Sequence, residues 1–267
     1  MRKYKIADIL LAVDSSIYLS DCWKDFFQPG IEGNCEELAF SVSMDTKRMR
    51  IHGVVHIPGI IRGDRFMEAD GSVLYVNKDY TQAQFISSGS IYGREELLCQ
   101  LFQTHGVKRG ILRVHSSLVD CQGIGILFIG PSGIGKTTQA ELWEKYRQAE
   151  IINGDMVFVQ EKGQDFYGVG SPWHGSSPYC LNRQVKIRAI VALKQDSVNS
   201  IRKLQDFEKV STLAGNLFYP LWSETGMAAC METFHRLAKK VETYQLSCRP
   251  DKDAVELLYE NISRGEI

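Results

Sequence analysis

Gly130-Pro131-Ser132-Gly133-Ile134-Gly135-Lys136-Thr137 is a complete Gly-x-x-x-x-Gly-Lys-Thr loop. It follows the apolar run Ile124 to Ile129 and opens the helix-compatible stretch Thr137 to Tyr146. That strand–loop–helix context separates a phosphate-binding loop from a chance match. The glycines let the backbone turn sharply and aim its N–H groups at phosphate oxygens, and the helix start adds unpaired N–H groups and its positive dipole end. Lys136 sets a cation against the β- and γ-phosphates, and the Thr137 hydroxyl suits Mg²⁺. The nucleotide-binding candidates are thus Gly130, Pro131, Ser132, Gly133, Ile134, Gly135, Lys136, Thr137 and Thr138. The expected ligand is ATP or another nucleoside triphosphate, with Mg²⁺.

Around this loop the chain has 267 residues, 44% hydrophobic and 24% charged, with a formal net charge of −1. These are ordinary values for a folded globular protein. No global basic field draws it to nucleic acid or an acidic membrane. The basic start Met1 to Lys5 leads into Ile6–Val13, too short and interrupted by Asp8 for a secretory signal, and no window approaches the roughly 20 apolar residues of a membrane span. Seven cysteines without a Cys-x-x-Cys pair argue against a zinc or redox motif. Scattered free thiols suit the reducing cytosol, so a cytoplasmic location is expected. His52 and His56, four apart on a strand, would lie about 13 Å apart, too far to share a metal.

The first hundred residues read as mostly β. Short apolar runs at Ile6–Val13, Leu38–Val42, Arg50–His56 and Val73–Val76 are broken by Pro29-Gly30, Gly33-Asn34, Gly63-Asp64 and Asp70-Gly71. A helical spacing over Arg94–His105 ends at Gly106, which places a boundary between a β-rich part, 1–105, and a second part, 106–267. In the second part, Ile111–Val119 and Ile124–Ile129 form a hairpin around Asp120-Cys121-Gln122-Gly123. The apolar strand Ile151–Val159, a hairpin at Lys162-Gly163-Gln164 and a strand Val185–Leu193 follow. Helices at about 207–219 and 225–240, a strand Val241–Cys248 and a last helix Asp251–Asn261 capped by Asp251 complete the pattern. The fold class is α/β with a mixed sheet.

Three features stand near the loop. The hairpin sets position 115 roughly opposite position 128, so His115 reaches the mouth of the phosphate site as a proton carrier or orienting group. Asp155, on the first strand after the loop helix, is the expected metal carboxylate with Thr137; Asn153-Gly154-Asp155 is also turn chemistry. The stretch Gly170 to Pro178, centred on Trp173, is either a wall of a substrate or base pocket or a packed surface loop. Of Arg183, Lys186 and Arg188, one or two are candidates to clamp transferring phosphate.

The stretch His115-Ser116-Ser117-Leu118-Val119-Asp120-Cys121-Gln122-Gly123-Ile124-Gly125-Ile126-Leu127-Phe128-Ile129-Gly130, running into the loop, resembles the HPr kinase/phosphorylase catalytic domain, whose fold is akin to phosphoenolpyruvate carboxykinase. The Trp173-His174-Gly175 segment and Gln195 to Asn199 look like smaller HPr-kinase-related proteins, some of which accompany peptide-modification gene clusters. The resemblance covers about 107–267. It implies Lys136 and Thr137 on phosphate and Mg²⁺, with His115 beside the reaction centre. That family has two consecutive aspartates after the loop; here the first position is Gly154 and only Asp155 remains, which leaves the base open. No stretch resembles the loop with which that family grips its protein substrate, and this counts against HPr itself as acceptor.

The expectation is a kinase with catalytic residues His115, Asp155 and Lys136, moving a phosphoryl group to a hydroxyl of a peptide, a protein or a small molecule. Nucleic acid and membrane are not expected partners; self-association into a homo-oligomer is compatible with the sequence. The β-rich part and the Trp173 loop are expected to choose the acceptor. The rival expectation is a nucleotide-binding accessory or regulatory module with weak or no transfer.

Overall fold

The computed structural model describes residues 1–29, 38–44, 49–51, 54–56, 65–86 and 91–263. The turn signals at Gly30, Gly33-Asn34 and Gly63-Asp64, and His52, lie outside them. The chain divides into two compact units, Met1–His105 and Gly106–Ile267.

In the first unit, β1 (Arg2–Ile6) and β2 (Ile9–Val13) form an antiparallel hairpin where a single strand was expected. Ala7 and Asp8 both take positive φ (46° and 63°), the backbone of a two-residue turn, and so break the apolar run. β3 (Phe40–Met44) follows, then β4 (Met49–Ile51) paired with β5 (Val54–His56) as a separate ribbon. β6 (Arg65–Ala69), β7 (Ser72–Val76) and β8 (Gln82–Ile86) complete a mixed six-stranded sheet of order β1-β2-β3-β8-β7-β6. Helix α1 (Ile91–Gly106) buries Leu97, Leu101 and Phe102. Its Glu95 carboxylate accepts the Trp23 indole N–H at 3.0 Å, and His105 Nε2 meets the Tyr80 carbonyl at 2.8 Å.

The second unit begins with β9 (Ile111–Cys121) and β10 (Ile124–Ile129). Gln122 and Gly123, at φ 57° and 88°, form a two-residue turn tied by the Gly123 N–H to Asp120 Oδ1 at 2.6 Å. α2 (Lys136–Arg147), β11 (Glu150–Asn153), β12 (Met156–Lys162), β13 (Asp165–Val169) and β14 (Gln184–Gln195) follow. Next come β15 (Ser200–Lys203), α3 (Asp206–Ala214), β16 (Leu217–Phe218), α4 (Glu224–Lys240), β17 (Glu242–Cys248) and α5 (Lys252–Ser263). The expected helix over 207–219 is thus shorter. Asn216 Nδ2 donates to Thr212 O, turning the chain so that Leu217 and Phe218 pair with Val114 and Arg113 of β9. Asp251 caps α5 through the Ala254 N–H at 3.0 Å.

The strands form one mixed sheet in which β10, β14 and β17 run parallel, while β9, β12 and β13 link β10 back to β14 through antiparallel pairs. Side chains alternate along a strand, so β10 serves two cores. Leu127 and Ile129 pack with β12, β14 and α4, whereas Ile126 and Phe128 pack with Trp143 of α2 and Leu258 of α5. With both faces buried, the end of β10 is held rigidly, and that end carries the phosphate loop.

Candidate phosphate-transfer site

The loop runs from the last residue of β10 to the first of α2. Gly130, Gly133 and Gly135 take φ of 144°, 78° and 110°, which side-chain-bearing residues rarely adopt. Gly135 is the N-cap of α2 and offers no side-chain cap, so the first-turn N–H groups face the loop as an anion-binding end. Lys136 is only 6% exposed; its Nζ donates to the carbonyls of Gly130 (3.0 Å) and Pro131 (3.2 Å). Burial lowers the Lys136 pKa, and the Asp155 charge opposes that shift. Ser117 Oγ holds the other side of the turn by donating to Lys136 O at 2.9 Å.

The hairpin register differs from the expected one by two residues. Phe128 pairs with Ser117 and Ile129 with Ser116, because only Gln122 and Gly123 form the turn. His115 therefore stands one pair beyond Ile129, level with Gly130. Its other neighbour is Met156 of β12. Asp155 is not inside a strand: the expected strand Ile151–Val159 breaks into β11 and β12 at Gly154-Asp155. The cause is Asn153, fully buried, whose Oδ1 accepts the N–H groups of Asp155 (2.9 Å) and Met156 (2.8 Å) in an Asx-type turn. Its Nδ2 donates to the carbonyls of Ser171 (3.1 Å) and Trp173 (3.2 Å), tying this turn to the Trp173 loop.

At this break Asp155 Oδ1 meets His115 Nε2 at 3.2 Å, with both side chains about a third exposed or less (32% and 27%). The hydrogen bond from His115 is the main reason the Asp155 carboxyl lies below its ordinary pKa. Desolvation works against it, and the charges of His115, Lys136 and His174 assist. Gly175 presses on the same carboxylate: a Cβ there would stand 2.7 Å from Asp155 Oδ2. Thr137 Oγ1 donates to Gly154 O at 3.2 Å, so the hydroxyl and the Asp155 carboxylate flank one short segment. Among the described residues no group of three or more His, Cys, Asp or Glu side chains converges as a metal cage. Mg²⁺ commonly takes one or two protein oxygens and leaves its other positions to water and phosphate, and Thr137 with Asp155 is a donor set of that kind.

Gly154, which precedes Asp155 and carries no acid, is closed to a side chain. A Cβ there would overlap Ser177 Oγ. Trp173 is 5% exposed and packs edge-on against Phe158 at 5.8 Å, so it anchors its loop from within the core and is not a pocket wall. His174 and Gly175 are what that loop brings to Asp155. Arg183, Lys186 and Arg188 do not serve the loop: Arg183 pairs with Glu150, Lys186 with Asp165, and Arg188 donates to Ile262 O.

Asn216 escaped the sequence reading. Its Oδ1 accepts the Gly130 N–H and its carbonyl accepts the His115 N–H, both at 2.9 Å, so one residue positions the loop and the histidine together. Arg113 stacks over Phe218 at 4.3 Å and donates to Met156 Sδ. The helix-ending Gly215-Asn216 pair was the available signal, but its distance in sequence from the loop hid the connection. Among the described residues, Cys99, Cys121, Cys230 and Cys248 are free thiols. No helix among the described residues is long and apolar enough to cross a membrane.

No protein-family model matches the sequence. Among curated proteins, the chain is 26% identical over 208 residues to an HPr kinase/phosphorylase of Caldanaerobacter subterraneus subsp. tengcongensis, covering 71% of this chain and 66% of that protein. It is 29% identical over 101 residues to an HPr kinase/phosphorylase of Clostridium tetani, covering 38% of this chain and 30% of that protein. The chain thus spans between under a third and about two thirds of the length of these relatives. A solved structure, that of the Hpr(Ser) kinase/phosphatase from Coxiella burnetii, superposes with a TM-score of 0.34 at 10% identity over 57% of this chain and 94% of that one, too loosely to compare positions.

Proposed function

The chain is HPr-kinase-like in sequence, and from that premise we propose a nucleotide- and Mg²⁺-dependent phosphotransferase acting on a hydroxyl of a peptide, a protein or a small molecule. One observation carries the reading: His115 and Asp155 are hydrogen-bonded beside a phosphate loop whose lysine feels the Asp155 charge. Phosphoryl transfer asks mainly for positioning and for charge stabilisation around the moving group. The loop N–H groups and Lys136 supply that stabilisation, with Lys136 Nζ exchanging the Gly130 and Pro131 carbonyls for phosphate oxygens. His115 takes the acceptor proton as its oxygen attacks, and the Asp155 carboxylate, held ionised, steadies the imidazolium that results. Bound Mg²⁺, held by Thr137 and Asp155, would neutralise charge on the phosphates.

The test is incubation of the protein with labelled ATP, Mg²⁺ and candidate acceptors, read by mass spectrometry, for the parent and for Asp155→Asn. The variant is expected to lose turnover and Mg²⁺ dependence while retaining metal-free nucleotide binding. An unchanged Mg²⁺ titration would make Asp155 structural. A second reading, a nucleotide-binding regulatory module, is favoured by the sealed position at Gly154, which leaves a single acid. Tight ATP binding with no turnover on any acceptor would select it.

A further inference from the structure

A group of lysines gathers at the sheet end away from the phosphate loop. β17 opens at Glu242 and ends at Cys248, so six residue steps, roughly 20 Å, separate its start from the end that carries the loop. At that start lies a cleft of about 550 Å³ between β15, the first turn of α3 and the last turn of α4. Its volume falls within the range of roughly 300–1,000 Å³ for ligand sites. Lys203, Lys209, Lys239 and Lys240 line it, against the two acids Asp206 and Glu242. Glu242 is already engaged, by Lys203 Nζ and by the Tyr244 hydroxyl.

Local structure accounts for only some of these lysines. Lys239 and Lys240 complement the carboxyl end of the α4 dipole. Lys209 stands where the opposite holds: it is the fourth residue of α3, near the amino end, where the dipole disfavours a cation. It is half-buried, and no carboxylate hydrogen-bonds it among the described residues. Desolvation lowers its pKa, the Lys203 charge adds to that, and Glu242 opposes it. A cation held at such cost calls for an anion. Beside it apolar surface lies open. Val210 lines the cleft at 42% exposed, and Phe207, three residues back on the same helix, is 84% exposed.

We propose that this cleft docks an acidic polypeptide segment that carries an apolar side chain. Carboxylates meet Lys209, Lys239 and Lys240, and the apolar group covers Val210 and Phe207. Four lysines without an arginine present point charges suited to flexible carboxylates, not the planar fork of bidentate phosphate recognition. The two acids in the cleft and a chain charge of −1 oppose a continuous phosphate backbone. Docking here leaves the phosphate loop clear and does not depend on phosphoryl transfer.

Fluorescence anisotropy with a labelled peptide of alternating Glu and Leu tests this on the parent, Lys209→Glu, Phe207→Ser and Lys136→Ala. The parent should bind this probe and not its counterpart with Lys in place of Glu. Lys209→Glu should weaken binding by about tenfold or more, the worth of a charge-assisted hydrogen bond. Its melting temperature should hold or rise, because an acid suits a helix start. Phe207→Ser should weaken binding roughly three- to tenfold through lost apolar contact. Lys136→Ala and saturating ATP should leave it unchanged. Parental affinity in either cleft variant, or displacement of the probe by ATP, would overturn the proposal. So would a parent that fails to bind the probe, or that binds it no better than a single-stranded oligonucleotide of equal charge.

Discussion

Asp155 is held ionised chiefly by one neighbour. Removing His115 takes away the largest cause of its lowered pKa and leaves desolvation, so His115→Ala should raise the Asp155 pKa. A carbon-detected NMR titration of the carboxyl would show this; an unmoved titration would break the pairing argument. Because the folded pKa is depressed, this carboxylate stabilises the fold above the ordinary carboxylate range. That contribution is lost as pH falls through the folded value, so Asp155→Asn should flatten the acid limb of the stability curve. The same His115→Ala variant should slow transfer by about 10²-fold, a typical proton-transfer effect. Lys136→Ala should abolish nucleotide binding with the fold intact, at a loss of about 2–5 kcal/mol for a desolvated anion left without its cation. Calorimetry giving parental ATP affinity in that variant would defeat the loop reading.

At the scale of elements, the break between β11 and β12 places the acid. Asn153 makes the turn, and the Trp173 loop closes over it with Ser177 against Gly154. Gly154→Ala should therefore overpack this contact and destabilise the protein by roughly 1–3 kcal/mol. A lowered melting temperature that recovers in the double variant Gly154→Ala with Ser177→Gly would show that the clash, and not helix or strand propensity, is responsible. The loop itself was legible because its glycines, lysine and threonine are contiguous and each answers a local requirement of a phosphate. The break was not, since Ile151 to Val159 carries the apolar content of a continuous strand, and only a buried asparagine bonded across to residues 171–173 interrupts it.

For the whole molecule, the phosphate loop has no means of telling one acceptor from another, so selectivity needs another surface. The proposal that the unit Met1–His105 contributes it makes a clear forecast. Replacing exposed aromatics there, Tyr18 (59% exposed) and Tyr92 (86%), by alanine should reduce acceptor phosphorylation while acceptor-free nucleotide hydrolysis persists. Parallel loss of both activities with a lowered melting temperature would leave that unit a scaffold.

The sequence by itself determined the strand–loop–helix unit, the mixed α/β class and the identity of Lys136 and Thr137, because those depend on residues adjacent in the chain and on backbone geometry that glycine alone permits. The tertiary structure decided the two-residue shift that sets His115 level with Gly130, the bond between His115 and Asp155, and the double role of Asn216. It also assembled the lysine-lined cleft from β15, α3 and the end of α4. Each of these depends on strand pairing: of β9 with β10, β12 and β16, of β14 with β10 and β17, and of β17 with β15.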